Sequence, residues 1–370
     1  MDEKNRKLKV TSCNVLGKLP DLFTFKNGSK VTDAQSWEKR KAEFVKDVID
    51  LQYGTMPPSP DFVEVEKLYE GKNHISYKIH TGRRGKPISF MMKVIRPDTQ
   101  EKFPVIIDGD LCFNYAFNDS FINTPLSEGI GWALFDRTEL AHDICGEGRQ
   151  RGALYDCYPN YTFGALGAWA WGYSRCLDAL LQTGLINPDC VVFTGHSRGG
   201  KTAMLAGALD SRACIVNPNA TCAGSASCYR IHMTADVNGE KRSETLKDLL
   251  EQFPFWMGEG MQKYASDENS LPFDAHFIKA MVAPRTLFLS ESAEDIWSNP
   301  IGSYLTTTEA KKLYEFLGAG DNLYWYFRNG KHYHDLRDLQ MLVNLILHKT
   351  RGEALSDDFF NVPFDVPDII

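Results

Sequence analysis

Long basic runs are missing from this sequence. Its 41 Lys and Arg residues are outnumbered by 48 Asp and Glu, the formal net charge is −7, and the positive residues gather only in short stretches such as Lys39-Arg40-Lys41. A polyanion such as nucleic acid therefore finds no electrostatic footprint to grip. Apolar runs long enough to span a membrane are missing too, which excludes a transmembrane helix and a membrane partner of that kind. The opening MDEKNRKLKV is charged where a secretory signal has an apolar centre; as it stands the sequence reads as cytoplasmic, and a secreted or periplasmic protein would need a leader ahead of it. Nine histidines and nine cysteines include no H-E-x-x-H and no C-x-x-C, so neither a metal site nor any other cofactor is expected. An odd cysteine count fits a reducing compartment, and Cys222 and Cys228 are the only two close enough in sequence to suggest a bridge.

Apolar residues make up 43% of the 370 residues and aromatics 12%, ample for a buried core. No internal repeat, low-complexity segment or linker interrupts the chain, so residues 1–370 read as a single domain. From residue 103 onward short apolar runs alternate with helical periodicity. FPVIIDG (103–109), GWALFD (131–136), CVVFTGHS (190–197), ACIVNPNA (213–220), RTLFLSES (285–292) and NLYWYFRNGKH (322–332) read as strands. FGALGAWAWGYSRCLDALLQTG, GKTAMLAGALD, TEAKKLYEFLG and DLRDLQMLVNLILHKT read as helices. That alternation defines an α/β fold, with a mostly parallel sheet and helices on both faces. Residues 1–100 differ: one helical stretch (36–54) precedes two alternating runs, HISYKIH and ISFMMKVIRP, expected to add antiparallel strands at one sheet edge and to wrap it. Residues 351–370 form a patternless tail.

The chemistry begins at FTGHSRGGKTA (193–203). Gly195-His196-Ser197-Arg198-Gly199 matches G-x-S-x-G, a pattern with little meaning by itself. Here it joins a buried strand run to a helix, where a tight turn pushes the serine hydroxyl out at the top of the sheet and flanking glycines relieve the crowding. Ser197 is thus a candidate nucleophile rather than a helix cap.

Such a serine needs a base to take its proton and an acid to hold the base; in hydrolases of this architecture they follow as acid and then histidine, at the ends of later strands. The run ending in Gly330-Lys331-His332 supplies His332, with His334 as the rival base. After TLFLS, the cluster Glu291-Ser292-Ala293-Glu294-Asp295 offers the acid, and Asp295 is preferred to Glu294 and Glu291 for its place in the loop.

With these residues in view, the sequence resembles the glucuronoyl esterases, carbohydrate esterase family 15 of the α/β-hydrolases. The resemblance extends over most of the chain, through PDLFTFKNGSKV, Trp37 with YGTMP (53–57), GALGAWAWGYSRCLDAL, GHSRGGK, FPFW, LPFDAHFIKAMVAPR and EDIWSNPIGSYL. It implies a serine carboxylic-ester hydrolase acting on esters between (4-O-methyl)glucuronic acid of xylan and lignin-type alcohols, with a small-molecule or oligosaccharide substrate; an acetylxylan esterase or other carbohydrate deacetylase with the same triad is the alternative, against which Arg198 and Lys201 argue. It implies that Arg198 stabilises the oxyanion through side chain and backbone, that Lys201 and Glu244 hold ring hydroxyls of the uronate, and that Trp297 lines the sugar site. The plainer alternative, given less weight, makes Lys201 and Glu244 solvated helix charges and Trp297 core. Two departures stand out. Many members carry their triad glutamate where this chain has Ala220, which gives weight to Asp295. Fungal members have, before the nucleophile, a cysteine bridged to one beside the histidine; His196 stands there here.

Overall fold

The computed structural model describes residues 12–113, 118–144, 151–237 and 239–365. The N-terminal decapeptide, Cys145 and residues 366–370 of the tail lie outside this range. In chain order the elements are β1 (Ser12–Val15), α1 (Ala34–Lys46), β2 (Phe62–Glu70), β3 (His74–Arg83), β4 (Lys86–Ile95), β5 (Phe103–Asp108), α2 (Asp119–Leu126), β6 (Gly131–Phe135), α3 (Ala153–Cys157), α4 (Ala165–Thr183) and β7 (Ile186–His196). There follow α5 (Arg198–Leu209), β8 (Ile215–Asn219), β9 (Ile231–Val237), β10 (Glu240–Arg242), α6 (Leu246–Gln252), α7 (Ala275–Val282), β11 (Thr286–Ser292), α8 (Pro300–Phe316), β12 (Leu323–Arg328) and α9 (Leu336–Arg351).

Nine strands form one sheet in the order β12-β11-β8-β7-β5-β6-β4-β3-β2. The six from β12 to β6 pair in parallel, and β4, β3 and β2 continue the sheet antiparallel beyond β6. Residues 62–95 therefore extend one edge, as the alternation in HISYKIH and ISFMMKVIRP suggests. The strand β2 escapes a reading of hydrophobic pattern because it is the outermost strand and largely exposed. A second, three-stranded sheet, β1-β9-β10, also has no clear sequence signal.

Alternate residues of the parallel strands go to opposite faces, as the pleat requires. Val105, Ile107, Val191, Phe193, Leu287 and Leu289 meet α4, α5, α7 and α8 on one side. Ile106, Val192, Ile215 and Phe288 meet α2 and α9 on the other. Every residue of α7 is buried, so AHFIKAMV has no polar stripe to reveal it as a helix. For the same reason α8 starts at Pro300, well before the amphipathic TEAKKLYEFLG: its first turns are buried almost throughout.

Polar ties fix the strand ends that matter for function. Inside the sheet, Thr194 Oγ1 donates to Asn217 Oδ1 (2.9 Å), and Asn217 Nδ2 donates to the Phe288 carbonyl (2.8 Å), linking β7, β8 and β11. The helix α9 begins with a reciprocal cap between Asp335 and Asp338 and ends in His348, Lys349, Arg351 and a left-handed Gly352, an arrangement that suits both ends of its dipole. At the outer side of β12 the tail crosses the strand: the Phe360 N–H donates to the Trp325 carbonyl (2.9 Å), Phe359 packs on one face of the sheet and Phe364 on the other.

The approach of α5 to β8 leaves no room at Gly207, where an added Cβ would lie 2.3 Å from Val216 Cγ2. Replacement Gly207→Val should lower the unfolding free energy by about 2 kcal/mol or more through overpacking, read as a fall in the urea midpoint with an unchanged slope.

Candidate active site

At the end of β7 the chain turns sharply into α5, and Ser197 sits at that turn with φ 57° and ψ −118°. This region is costly for any residue but glycine, and the surroundings enforce it. A side chain at Gly195 would lie 2.5 Å from the Gly199 carbonyl, and one at Gly199 would lie 2.2 Å from Asp110 Oδ2. The turn is pinned from both sides: the Ser197 N–H donates to the Asn219 carbonyl (2.9 Å) and the His196 N–H donates to Asp110 Oδ2 (2.9 Å). Asp110 is itself held by the fully buried Arg137 through its other oxygen. The first N–H groups of α5 have no acceptor within the helix, which leaves donors beside the serine hydroxyl for an oxygen that acquires charge.

Three side chains from separate strand ends meet here. Ser197 Oγ lies 2.8 Å from His332 Nε2, and His332 Nδ1 lies 2.6 Å from Asp295 Oδ2. Asp295 is fully buried and accepts a second, short bond from Ser298 Oγ; Ser298 Oγ is also 3.0 Å from Cys222 Sγ. With the acid on Nδ1, the imidazole carries its proton there and offers the Nε2 lone pair to the hydroxyl. The rivals go elsewhere. Glu291 is buried on the opposite side of β11, accepting from Ser303 Oγ (3.0 Å); burial pushes its pKa up to about 8. Glu294 lines a separate cavity of about 600 Å³ between β12, α9 and the tail. The ring of His334 stacks on His196 rather than reaching the serine. At the end of β8, Ala220 is buried and offers no carboxylate.

The loop that carries His332 is braced by a residue with no sequence signal. Arg328 is buried and bonds both oxygens of Asp338 (3.0 and 2.9 Å), Ser292 Oγ (3.1 Å) and the carbonyls of Lys331 and Tyr333, one on each side of His332.

The two cations of the opening motif occupy different sockets. The Arg198 guanidinium donates to Asp143 Oδ2 (2.9 Å) and lies over the rings of Trp256 (4.7 Å) and Phe253 (5.1 Å), which stack on each other at 3.8 Å. The indole N–H of Trp256 donates to the other oxygen of Asp143 (2.9 Å). With 29% of its side chain exposed, Arg198 keeps one side open. One helical turn on, Lys201 is almost wholly buried, donates to the Ala223 carbonyl and pairs with Glu244 Oε2 at 3.4 Å. Burial raises the Glu244 pKa, with Lys201 pulling the other way. Trp297 is half-buried, and its carbonyl accepts the Glu244 N–H (3.0 Å). The structure thus brings Ser197, His332, Asp295, Arg198, Lys201, Glu244 and Trp297 into one region. Reasoning from the sequence missed Asp143, Phe253, Asn219, Ser298 and Arg328; of these only Phe253, with Trp256, had a signal, in FPFW. Cys222 and Cys228 are buried free thiols, so the close spacing makes no bridge.

A mostly parallel sheet with a serine on a strained strand-to-helix turn, a histidine in reach and a buried carboxylate behind it defines an α/β-hydrolase. A family model described as glucuronyl esterase of fungi matches residues 79–318, a span that holds Ser197, Asp295 and Trp297 and stops short of His332. A 4-O-methyl-glucuronoyl methylesterase of Podospora anserina is 34% identical over 314 residues, covering 83% of this chain and 62% of that protein. One from Schizophyllum commune is 30% identical over 351 residues, covering 92% and 85%. Among solved structures, a carbohydrate esterase family 15 glucuronoyl esterase from Caldicellulosiruptor kristjansonii superposes with a TM-score of 0.82 at 29% identity, over 95% of this chain and 96% of that one. The catalytic domain of the Hypocrea jecorina glucuronoyl esterase gives 0.77 at 26%, over 96% and 95%. The chain belongs to the glucuronoyl esterase family.

Removal of the His334 ring from water, reinforced by the Arg328 charge and partly offset by Asp335, pushes its pKa down from 6.5 to about 3. The unfolded chain takes up a proton near 6.5 that the fold refuses, so this contribution to stability is present above pH 6.5 and is lost as pH falls from 6.5 toward 3. His334→Phe should flatten the decline of the melting temperature between pH 6.5 and 4 relative to the natural protein.

Proposed function

We propose that this protein is a serine esterase that hydrolyses esters of glucuronic or 4-O-methylglucuronic acid, with lignin-type alcohols of plant cell wall as the natural leaving groups. The names of its curated relatives and the contacts around Ser197 support this reading. The single observation that carries it is the buried Lys201 and Glu244 pair one helical turn from the nucleophile. A simple acyl group gives such a pair nothing to bind, whereas the ring hydroxyls of a sugar acid can accept from the ammonium and donate to the carboxylate.

Ser197 Oγ attacks the ester carbonyl carbon while His332 Nε2 takes its proton, and the carbonyl π pair moves to oxygen. The N–H at the start of α5 and the Arg198 guanidinium receive that oxyanion, in an electrostatic role typically worth on the order of 3 kcal/mol per donor. Collapse breaks the bond to the leaving oxygen, which takes the proton from His332 and departs as the alcohol. Asp295 holds the imidazolium in orientation throughout. Water then attacks the acyl-enzyme, His332 accepting one of its protons and returning it to Ser197 Oγ, and the uronic acid gives up its remaining proton to solvent and leaves ionised. The Asp143 and Trp256 socket keeps the Arg198 side chain from wandering while the charge develops, so less reorganisation accompanies the step.

Hydrolysis of benzyl glucuronate followed by chromatography tests the scheme. Ser197→Ala should abolish turnover and labelling by a fluorophosphonate probe, and Asp295→Asn should lower kcat by roughly 10³- to 10⁴-fold. Intact activity in Ser197→Ala would refute the nucleophile assignment. The substrate class is tested separately. Lys201→Met combined with Glu244→Gln, which avoids stranding one buried charge, should cut kcat/KM on the glucuronate ester by about 10- to 100-fold. The same pair of changes should leave hydrolysis of a small acetyl ester nearly unaltered. Equal losses on both esters would point to an acetylesterase whose lysine is structural.

A further inference from the structure

Around the base the imidazoles form a stack that the reaction scheme leaves unused. The His196 ring centroid is 4.9 Å from that of His332, with the planes tilted by 40°. On its other side His196 stacks on His334 at 5.5 Å and 16°. His334 in turn meets Phe121 edge-on at 4.8 Å. His196 is also fixed in its plane: its Nδ1 is 2.6 Å from Asn219 Oδ1, and Asn219 spends its amide protons on Ser290 (3.1 and 2.9 Å). The Asn219 oxygen therefore accepts, and His196 carries its proton on Nδ1.

We propose that His196 is a positioning residue for His332, clamped between His334 and Asn219 so that it presents a rigid flat surface to the base. The inference rests on the esterase reading for its kinetic consequence, although the geometry does not depend on it. Hydrogen bonds to Ser197 at Nε2 and to Asp295 and Ser298 (3.3 Å) at Nδ1 locate the nitrogens of His332 but leave the ring free to tilt about the line between them. One third of that side chain is exposed, so water competes for Nε2 whenever the ring swings. A fixed neighbouring ring resists both motions, and when His332 becomes an imidazolium a neutral π face beside it is a favourable contact. His196 stays neutral because burial, and next the nearby His334 and His332, hold its pKa well below the usual histidine value. Its location one residue before Ser197, on the backbone that Asp110 pins, ties the position of the clamp to that of the nucleophile.

The test compares His196→Asn, which keeps a donor for Asn219 but loses the ring, with His196→Phe, which keeps the ring. On benzyl glucuronate His196→Asn should lower kcat by about 10- to 100-fold, the cost of a misplaced catalytic group, with KM within about twofold. His196→Phe should recover most of that loss. In proton NMR the far-downfield resonance of the His332 N–H shared with Asp295 should broaden by solvent exchange in His196→Asn and stay sharp in His196→Phe. Should His196→Asn fail to fold, His334→Ala removes the backing of the clamp without touching the serine turn and should give the same kcat loss and the same broadening. Unchanged kcat with a sharp resonance in a folded ringless variant would overturn the proposal, as would a loss confined to KM. If the natural protein neither turns over nor labels, the esterase reading fails, and the resonance alone still decides whether the clamp exists.

Discussion

The backbone of Ser197 lies in a region that non-glycine residues avoid, and the rest of the site follows from what holds it there. The elbow survives because β7, β8, β5 and α5 crowd around it with no slack: two glycines whose side chains would collide with a carbonyl and a carboxylate, the Asn219 carbonyl on one N–H, the Asp110 carboxylate on the next. Strain of this kind persists only where neighbouring structure overdetermines it. Its result is a hydroxyl lifted clear of the sheet beside uncapped helical N–H groups, 2.8 Å from the Nε2 of His332, which arrives from β12, three strands across the sheet.

A second constraint explains why a hydrolytic serine tolerates two cations nearby. Each has its own counter-charge, part-buried Asp143 for Arg198 and buried Glu244 for Lys201, and the two are arranged differently. Asp143 and two stacked rings grip Arg198 and leave it partly open, so its charge is available to an oxygen that becomes negative only in passing. Lys201 is sunk against Glu244 and the Ala223 carbonyl, so its charge is spent within the protein.

Much of this was legible in the sequence, and the limits have physical causes. Parallel strands buried on both faces appear as apolar runs, so β5 to β8, β11 and β12 and the order of Ser197, Asp295 and His332 along them could be read directly. Elements with no contrast could not: β2 is exposed almost along its length, and α7 and the first half of α8 are buried all round, so neither shows a period. Asp295 is preferred to Glu291 for its place in the loop beyond β11, while Glu291, still within the strand, turns to Ser303 of α8. What stayed hidden were partners that meet only in space. Asp143 and Arg198 are 55 residues apart and Ser298 and Cys222 are 76 apart, and nothing local in either pair advertises the other.

The base enters the site from β12, the outermost strand on its side of the sheet, which is hydrogen-bonded to a neighbour along one flank only. A bare flank of that kind is a template on which a second chain can add itself. Phe359, Phe360 and Phe364, straddling both faces and capping a carbonyl of the strand, act as a clasp that closes this flank. The stretch from Phe359 to Phe364 therefore covers part of such a template, and loosening it would bare the very strand from which the histidine hangs.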